Sequence, residues 1–236
     1  IYHLLGWLPS DPRCKLCAAP FKSWGGFLMH LLGRDQSRYN PRFCEKCKAF
    51  EHPGGAEITL SMLFADVRGS TALAEQMGAR EFSRLINRFY SVASHVLIQS
   101  DAMVDRLIGD EAIGLFIPGF TGQEHPRRAI EAAQELLRLT GHLDSKGPWI
   151  PVGVGVHTGS AFVGVVGEEE SAMDFTALGD SVNITARLAS EAGSGEILIS
   201  DAAYSASNAA LEHLEHRQLE LKGKTEPIGV HVLRVA

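Results

Sequence analysis

The sequence lacks an apolar run near the roughly 20 residues that span a bilayer, and it lacks a charged leader followed by an apolar signal core. Cysteine is absent after position 47, and the net charge of −6 shows no overall excess of basic residues. These absences argue against a membrane segment, a secreted disulfide-rich protein and a general nucleic-acid binder. We therefore expect a cytoplasmic protein, and because the chain begins at Ile1 we expect a fragment of a longer one.

The composition is that of an ordinary globular protein, with 45% hydrophobic and 21% charged residues. Its 236 residues allow one large domain or two small ones. Residues 1–56 carry eight Lys/Arg against four Asp/Glu, whereas residues 57–236 carry 14 against 24. This change of charge favours a small, mildly basic module at 1–52, a linker at 51–55 and a larger acidic domain at 57–236.

The small module contains all four cysteines, as the C-x2-C pairs Cys14/Cys17 and Cys44/Cys47. Two such pairs can close a tetrahedron of thiolates around one Zn2+ per chain, although the 26 intervening residues exceed the usual ribbon spacing. An iron–sulfur cluster is the second interpretation, and the remaining alternative is two disulfides or four unrelated thiols. Because so small a module buries little apolar surface, we expect the metal to supply much of its stability.

Hydrophobic periodicity in the larger domain alternates between the strand and helix patterns. It predicts strands at 58–64, 102–108, 112–117, 151–156, 161–166, 196–200, 217–221 and 228–233. It predicts helices around 82–97, 129–137 and 181–192, and another that begins after Gly69 with Ser70 or Thr71 as its N-cap. Residues 157–160 are predicted to be a loop. The pattern indicates an α+β sandwich with a mostly antiparallel sheet.

Two aspartates are candidates for chemistry, because Asp66 ends the first strand and Asp110 lies at the tip of the next predicted hairpin. If the strands are neighbours, both carboxylates meet at one end of the sheet, where hard oxygen ligands suit Mg2+. Two such ions could clamp a phosphoryl displacement, and the backbone of Gly69, Ser70 and Thr71 could bind phosphate. The alternative is that both aspartates are ordinary turn residues.

Four ordered sequence blocks resemble the class III nucleotidyl cyclases, the family of adenylate and guanylate cyclase catalytic domains. They are residues 64–71 (FADVRGST), 106–112 (RLIGDEA), 175–188 (FTALGDSVNITARL) and 221–224 (LKGK). The resemblance extends from about Glu57 to the C-terminus and leaves out the cysteine module. It implies a ferredoxin-like palm with flanking helices, and an enzyme that makes a cyclic nucleotide for signal transduction.

The resemblance also implies roles for individual residues. Asp66 and Asp110, with the carbonyl of Val67, match the ligands of two Mg2+ or Mn2+ ions per active site. Asn183 and Arg187 match the pair that acts at the ribose and the α-phosphate, and their spacing of four lets one helix face present both. Lys222 matches the lysine that holds the polyphosphate, with Lys224 as a substitute.

Arg106 and Thr176 match the two positions that read the purine. The family usually has Lys at the first position in adenylate cyclases and Glu in guanylate cyclases. Arginine only donates hydrogen bonds, so it suits adenine N1, although guanine O6 could also accept from it. We therefore predict an adenylate cyclase that makes cyclic AMP and pyrophosphate from ATP, with guanylate cyclase as the alternative.

Other functions are less favoured by the residues. A diguanylate cyclase shares a Gly-Asp-Glu turn, but Ile108 replaces its preceding glycine and the Asn183/Arg187 block has no place there. A non-catalytic nucleotide-binding or dimerisation domain would have lost metal or ribose positions, and none is lost. Nucleic-acid binding by the cysteine module is not expected, because the module lacks a helix dense in Arg or Lys.

The resemblance implies a homodimer, because in the family one subunit supplies the aspartates and the other supplies the purine-reading, Asn/Arg and lysine positions. This chain carries both sets, so two copies would form two equivalent shared sites. An exposed apolar face is expected at that interface.

Overall fold

The computed structural model describes residues 12–15, 17–37, 41–48, 54–166, 174–209, 211, 213–221 and 226–235. The chain divides into two compact units, one of residues 1–56 with 164–176 and one of 57–163 with 177–236. Of the residues predicted to form the linker, 51–53 lie outside the described ranges. No helix among the described residues is long and apolar enough to cross a membrane.

In the first unit the chain forms two short helices beside the cysteines, α1 (Ser23–Leu31) and α2 (Glu45–Lys48). Isolated bridges pair Arg13 with Pro20 and Gln36 with Cys44. Met29 is buried at 2% exposure, whereas Trp24 and Phe27 on the same helix are largely exposed. Among the described residues of this unit, the large buried apolar side chains are those of Met29 and Phe43.

An eight-stranded sheet organises the larger unit. Its strands are β1 (Gly55–Val67), β2 (Met103–Ile108), β3 (Glu111–Phe116), β4 (Val152–Val166), β5 (Asp174–Leu178), β6 (Glu196–Ser200), β7 (Glu215–Leu219) and β8 (Ile228–Arg234). The order is β2-β3-β1-β4-β6-β8-β7, with β5 paired to β4. The pairs β1·β3, β2·β3, β6·β8 and β7·β8 are antiparallel, and β4·β6 is parallel. The predicted α+β fold with a mostly antiparallel sheet is confirmed.

Helices cover both faces of this sheet. They are α3 (Ser70–Gln76), α4 (Ala79–Gln99), α5 (Pro118–Thr121), α6 (His125–Leu139), α7 (Asp180–Glu191) and α8 (Asp201–Ser207). On β6, Ile197 and Ile199 join the core cluster that contains α4 and α6, whereas Leu198 joins the cluster that contains α7. Because successive strand residues point to opposite faces, α7 lies on the face opposite to α4 and α6.

The predicted loop at 157–160 is wrong, because β4 continues without interruption from Val152 to Val166. Its residues His157 and Thr158 are buried and have partners within the fold. His157 Nδ1 lies 2.8 Å from Ser200 Oγ, and Thr158 Oγ1 lies 2.6 Å from Ser61 Oγ. Polar side chains that are hydrogen-bonded inside the protein need no turn to reach water. The strand β5 and the helix α8 were not predicted as elements.

Candidate active site and cysteine cluster

Asp66 and Asp110 meet at one end of the sheet. In the antiparallel β1·β3 pair, Asp66 lies opposite Glu111, the residue after Asp110. The Val67 amide extends this pairing by donating a hydrogen bond to the Asp110 carbonyl at 3.1 Å. Gly109, with φ +62°, makes the tight turn that carries Asp110 back to β1. The strands that carry the two aspartates, β1 and β3, are therefore neighbours, as the predicted meeting of Asp66 and Asp110 required.

The carboxylates at this strand end repel one another. Burial raises the pKa of Asp66, the adjacent Arg68 guanidinium opposes that rise, and the charge of Asp110 adds to it. Burial raises the pKa of Glu111 as well, and the charges of Asp66 and Asp110 raise it further. Asp66 and Asp110 lie close enough for their charges to interact, and their carboxylates are hard oxygen donors of the kind that binds Mg2+ or Mn2+.

Sequence reasoning missed three residues at this end of the sheet. Arg68 forms an ion pair with Asp66 and donates from Nη1 to the Ser190 carbonyl at 2.7 Å, which links the strand end to α7. Tyr90 donates its hydroxyl to the Gly109 carbonyl at 2.8 Å and so holds the turn that carries Asp110. Glu111 and Arg68 lie within two residues of the aspartates in sequence, which could have identified them, whereas Tyr90 had no such signal.

The segment 69–71 differs from its prediction. The N-cap of α3 is Gly69 rather than Ser70 or Thr71, and no side chain caps the helix. Gly69 takes the left-handed conformation with φ +68°, which turns the chain sharply from β1 into the helix, and its carbonyl accepts from the Leu73 amide at 3.0 Å. Backbone geometry, not a hydroxyl, therefore begins this helix.

Helix α7 carries Asn183 and Arg187 and lies unusually close to β4. A Cβ atom added to Gly155 would lie 2.4 Å from the Ala189 nitrogen and 2.7 Å from the Thr185 oxygen. Asn183 is exposed and Arg187 is partly exposed, one turn further along the helix. The glycine contact thus fixes the helix that presents this pair to solvent.

The remaining predicted substrate residues lie on different elements. Arg106 is exposed on β2, with its Nε 4.0 Å from Asp105 Oδ2, and Thr176 is buried on β5. Lys222 and Lys224 lie outside the described residues.

The four cysteine side chains converge in the first unit. All four Sγ atoms lie within 4.8 Å of one another, and Cys17 Sγ is 3.8 Å from Cys44 Sγ. That separation excludes a disulfide between these two, and all four thiols are free. It matches the edge of about 3.8 Å that a tetrahedron with Zn–S bonds of about 2.3 Å would have.

The electrostatics of the cysteine cluster also fit a bound cation. Burial, with the charge of Cys14 second, raises the pKa of Cys47 to about 12. Hydrogen bonding to Cys14 and burial raise the pKa of Cys44 far above its usual range. Arg34 Nη1 lies 3.4 Å from Cys17 Sγ and 4.0 Å from Cys44 Sγ, so a guanidinium already faces this sulfur-rich site. The thiols need compensating positive charge to ionise together, and a metal ion would supply it.

Comparison with known proteins points to one family. The family model described as "Adenylate and Guanylate cyclase catalytic domain" matches residues 56–234. A terminal-differentiation-specific adenylate cyclase of Dictyostelium discoideum is 28% identical over 73% of this chain, and an adenylate cyclase of Anabaena cylindrica is 29% identical over 74%. The matched segments span 8% and 36% of those relatives' own lengths.

Solved structures of cyclases are also similar to this chain. The guanylyl cyclase Cya2 is 25% identical, with a TM-score of 0.68, over 76% of this chain and 93% of its own. The adenylyl cyclase CyaB from P. aeruginosa is also 25% identical, with a TM-score of 0.66, over 78% of this chain and 97% of its own. The fold is therefore similar to that of a guanylyl cyclase and to that of an adenylyl cyclase.

Proposed function

This chain belongs to the adenylate and guanylate cyclase catalytic-domain family, and we propose that it converts ATP to cyclic AMP and pyrophosphate. The observation that supports the proposal is the placement of Asp66 and Asp110 at one end of the sheet, inside the segment that the family matches. The adenylate cyclases among its relatives support ATP, as does Arg106, whose donors suit adenine N1.

In the proposed reaction Asp66 and Asp110, with the Val67 carbonyl, would hold two Mg2+ or Mn2+ ions. Such ions would polarise the α-phosphate and make the ribose 3'-oxygen a stronger nucleophile. Arg187 would donate to the charge that develops on the α-phosphate while Asn183 orients the ribose. The 3'-oxygen forms a bond to phosphorus in line with the leaving pyrophosphate, and the 3'-proton passes to water or to a substrate phosphate.

Substrate binding in this proposal uses residues on other elements. Arg106 and Thr176 read the purine, Lys222 holds the polyphosphate, and the backbone of 69–71 binds phosphate at the turn into α3. Lys224 is the substitute for Lys222.

We propose a homodimer with two shared sites as the active assembly. The aspartates would act on one side of each site, with Asn183 and Arg187 of the second copy on the other. Four large apolar side chains are exposed among the described residues of the larger unit and support an interface, namely Ile108, Leu143, Phe162 and Leu178.

The direct test is product identification after separate incubations with ATP and GTP, each with Mg2+ or Mn2+. We expect cyclic AMP and pyrophosphate from ATP at a much higher rate than any product from GTP. Cyclic GMP as the main product would establish the guanylate cyclase alternative, which the donors of Arg106 toward guanine O6 and the similarity to Cya2 favour. A linear or cyclic dinucleotide would establish a diguanylate cyclase, and no turnover of either nucleotide would contradict an enzyme.

For the cysteine cluster we propose one structural Zn2+ per chain, bound by Cys14, Cys17, Cys44 and Cys47 in a separate module at 1–52 that does not bind nucleic acid. The Sγ separation of 3.8 Å and the free thiols support it. Metal analysis of freshly purified protein should find one zinc ion per chain more in the wild type than in Cys44→Ser, and an iron–sulfur absorption band would contradict zinc.

A further inference from the structure

A second group of metal-ligating side chains lies in the larger unit, apart from the aspartates and the cysteines. Asp201 begins α8, and His216 and His231 lie on β7 and β8. Asp201 Oδ1 is 3.0 Å from His216 Nε2 and 3.2 Å from His231 Nε2. All three ligand atoms lie within 4.8 Å of one another. No role in the proposed cyclase reaction requires this group.

The backbone fixes the two histidines as a pair. His216 and His231 are direct partners in the antiparallel β7·β8 register, so their side chains lie on the same face of the sheet. Their rings make an edge contact with centroids 5.0 Å apart. On β8, Val232 beside His231 belongs to the core cluster of α7, so His231 points to the opposite face, where α8 lies. The histidines therefore face Asp201 because of the fold and not by rotamer choice alone.

The other surroundings of the group also hold its geometry. The Tyr204 ring stacks on the His231 ring with centroids 3.7 Å apart and an interplanar angle of 15°, which fixes the plane of that imidazole. A Cβ atom at Gly229 would lie 2.0 Å from Asp201 Oδ2, so a side chain at position 229 would displace this carboxylate from its present position. Side-chain exposures of 20% for His231, 43% for His216 and 51% for Asp201 leave the group open to an ion from solvent.

We propose that Asp201, His216 and His231 form a binding site for a first-row transition-metal ion, with Zn2+ as the preferred occupant. Two imidazoles and one carboxylate are a typical donor set for such ions. Tetrahedral coordination with bonds of about 2.0–2.1 Å separates ligands by about 3.3–3.4 Å, so the observed distances need only a small expansion. The fourth position would hold water, and the ion would link α8 to the β7–β8 hairpin.

The proposal is tested by Zn2+ stoichiometry and affinity, measured by competition with a chromophoric chelator. Wild-type protein should bind one more Zn2+ than His216→Gln or Asp201→Asn, whatever the occupancy of the cysteine cluster, since all variants keep the cysteines. His213→Gln is the matched control, because it removes an exposed histidine of the same segment outside the group, and it should keep the extra ion. Equal stoichiometry in wild type and His216→Gln would overturn the proposal and leave the three side chains as a hydrogen-bonded ion pair.

A second measurement on the wild type avoids any dependence on how the variants fold. On addition of Zn2+, the imidazole 15N signals of His216 and His231 should move together and saturate at the stoichiometry of the extra ion. Zn2+ should also raise the Tm of wild type and of His213→Gln, because it binds only the folded chain. Imidazole signals that do not respond to Zn2+ would contradict the site, however many ions the protein binds elsewhere.

Discussion

At the scale of single residues, the carboxylates of Asp66 and Asp110 are the groups on which turnover depends most. Each lies on a rigid strand end or tight turn, where its position is set by backbone pairing. Both side chains are partly exposed to solvent, and neither belongs to the apolar core. Removing either carboxylate should therefore affect chemistry more than folding.

We predict that Asp66→Ala and Asp110→Ala each abolish cyclic nucleotide formation while the Tm stays near that of the wild type. The loss of activity should exceed the roughly 10–100-fold that is typical when a residue that only hydrogen-bonds to a metal ligand is replaced. Rates are to be measured over a range of Mg2+ and Mn2+ concentrations. Glu75→Ala is the control, since it removes an exposed carboxylate on α3 and should leave the rate unchanged. Near-normal activity in either aspartate variant would contradict the metal assignment.

The buried side chain of His125 makes the stability of the protein depend on pH. Its Nδ1 lies 2.9 Å from Ser61 Oγ, and burial lowers the pKa of His125. The unfolded chain, with a pKa near about 6.5, thus takes up the proton at a higher pH than the folded chain does. The stabilising contribution is complete above about pH 6.5 and is lost as the pH falls toward the lower folded pKa.

We predict that the free energy of unfolding decreases as the pH falls below about 6.5, with a slope of at most about 1.4 kcal/mol per pH unit from His125. His125→Gln should reduce this slope in urea unfolding at a series of pH values. Burial also lowers the pKa of His142, which accounts for a remaining slope. His95→Gln, at an exposed position on α4, should keep the wild-type slope. An unchanged slope in His125→Gln would contradict the prediction.

At the scale of elements, the contact between β4 and α7 positions the Asn183/Arg187 pair. Gly155 allows the backbone of α7 to approach the strand where a side chain would meet backbone atoms that cannot move aside. Gly153 is similar, with a Cβ position 2.5 Å from the Ala192 oxygen. These two glycines therefore place the last two turns of α7 against β4.

We predict that Gly155→Ala destabilises the protein by about 1–3 kcal/mol, the usual cost of overpacking, and lowers kcat because α7 moves with Asn183 and Arg187. Gly119→Ala is the control: a Cβ there has no atom within 4 Å, so its kcat should equal that of the wild type and its stability should not fall below it. Both are to be measured by thermal unfolding and steady-state assay. If Gly155→Ala were as stable and active as Gly119→Ala, the close contact would not position the helix.

At the scale of the whole molecule, the proposed shared sites make a prediction about mixtures. Asp66→Ala and Asn183→Ala homodimers should each be inactive. After subunit exchange, mixed dimers hold one intact site of two, so an equimolar mixture should regain at most about a quarter of the wild-type activity. Exchange is to be followed with differently labelled subunits. The control mixes Asp66→Ala with Asp110→Ala, which damage the same side of the site and should restore nothing. Failure of the first mixture despite demonstrated exchange would contradict the shared site.

The sequence by itself determined the fold class and the position of the two aspartates. Periodicity located most strands and the long helix α4, because burial of one face imposes a repeat that local sequence records. Gly109 and Asp110 marked the turn between β2 and β3, because so tight a turn has strong residue preferences. The family blocks, which depend on order and spacing, identified the cyclase domain.

Only the tertiary structure decided what depends on partners distant in sequence. The sequence indicated a loop at His157 and Thr158, but in the fold these side chains hydrogen-bond to Ser200 and Ser61. Tyr90 reaches the Asp110 turn from α4. Asp201, His216 and His231 come from a helix and two strands, and no short-range pattern joins them. Hydrogen bonding and ligand geometry act through space, so these groups became visible only when the sheet brought separate segments of the chain together.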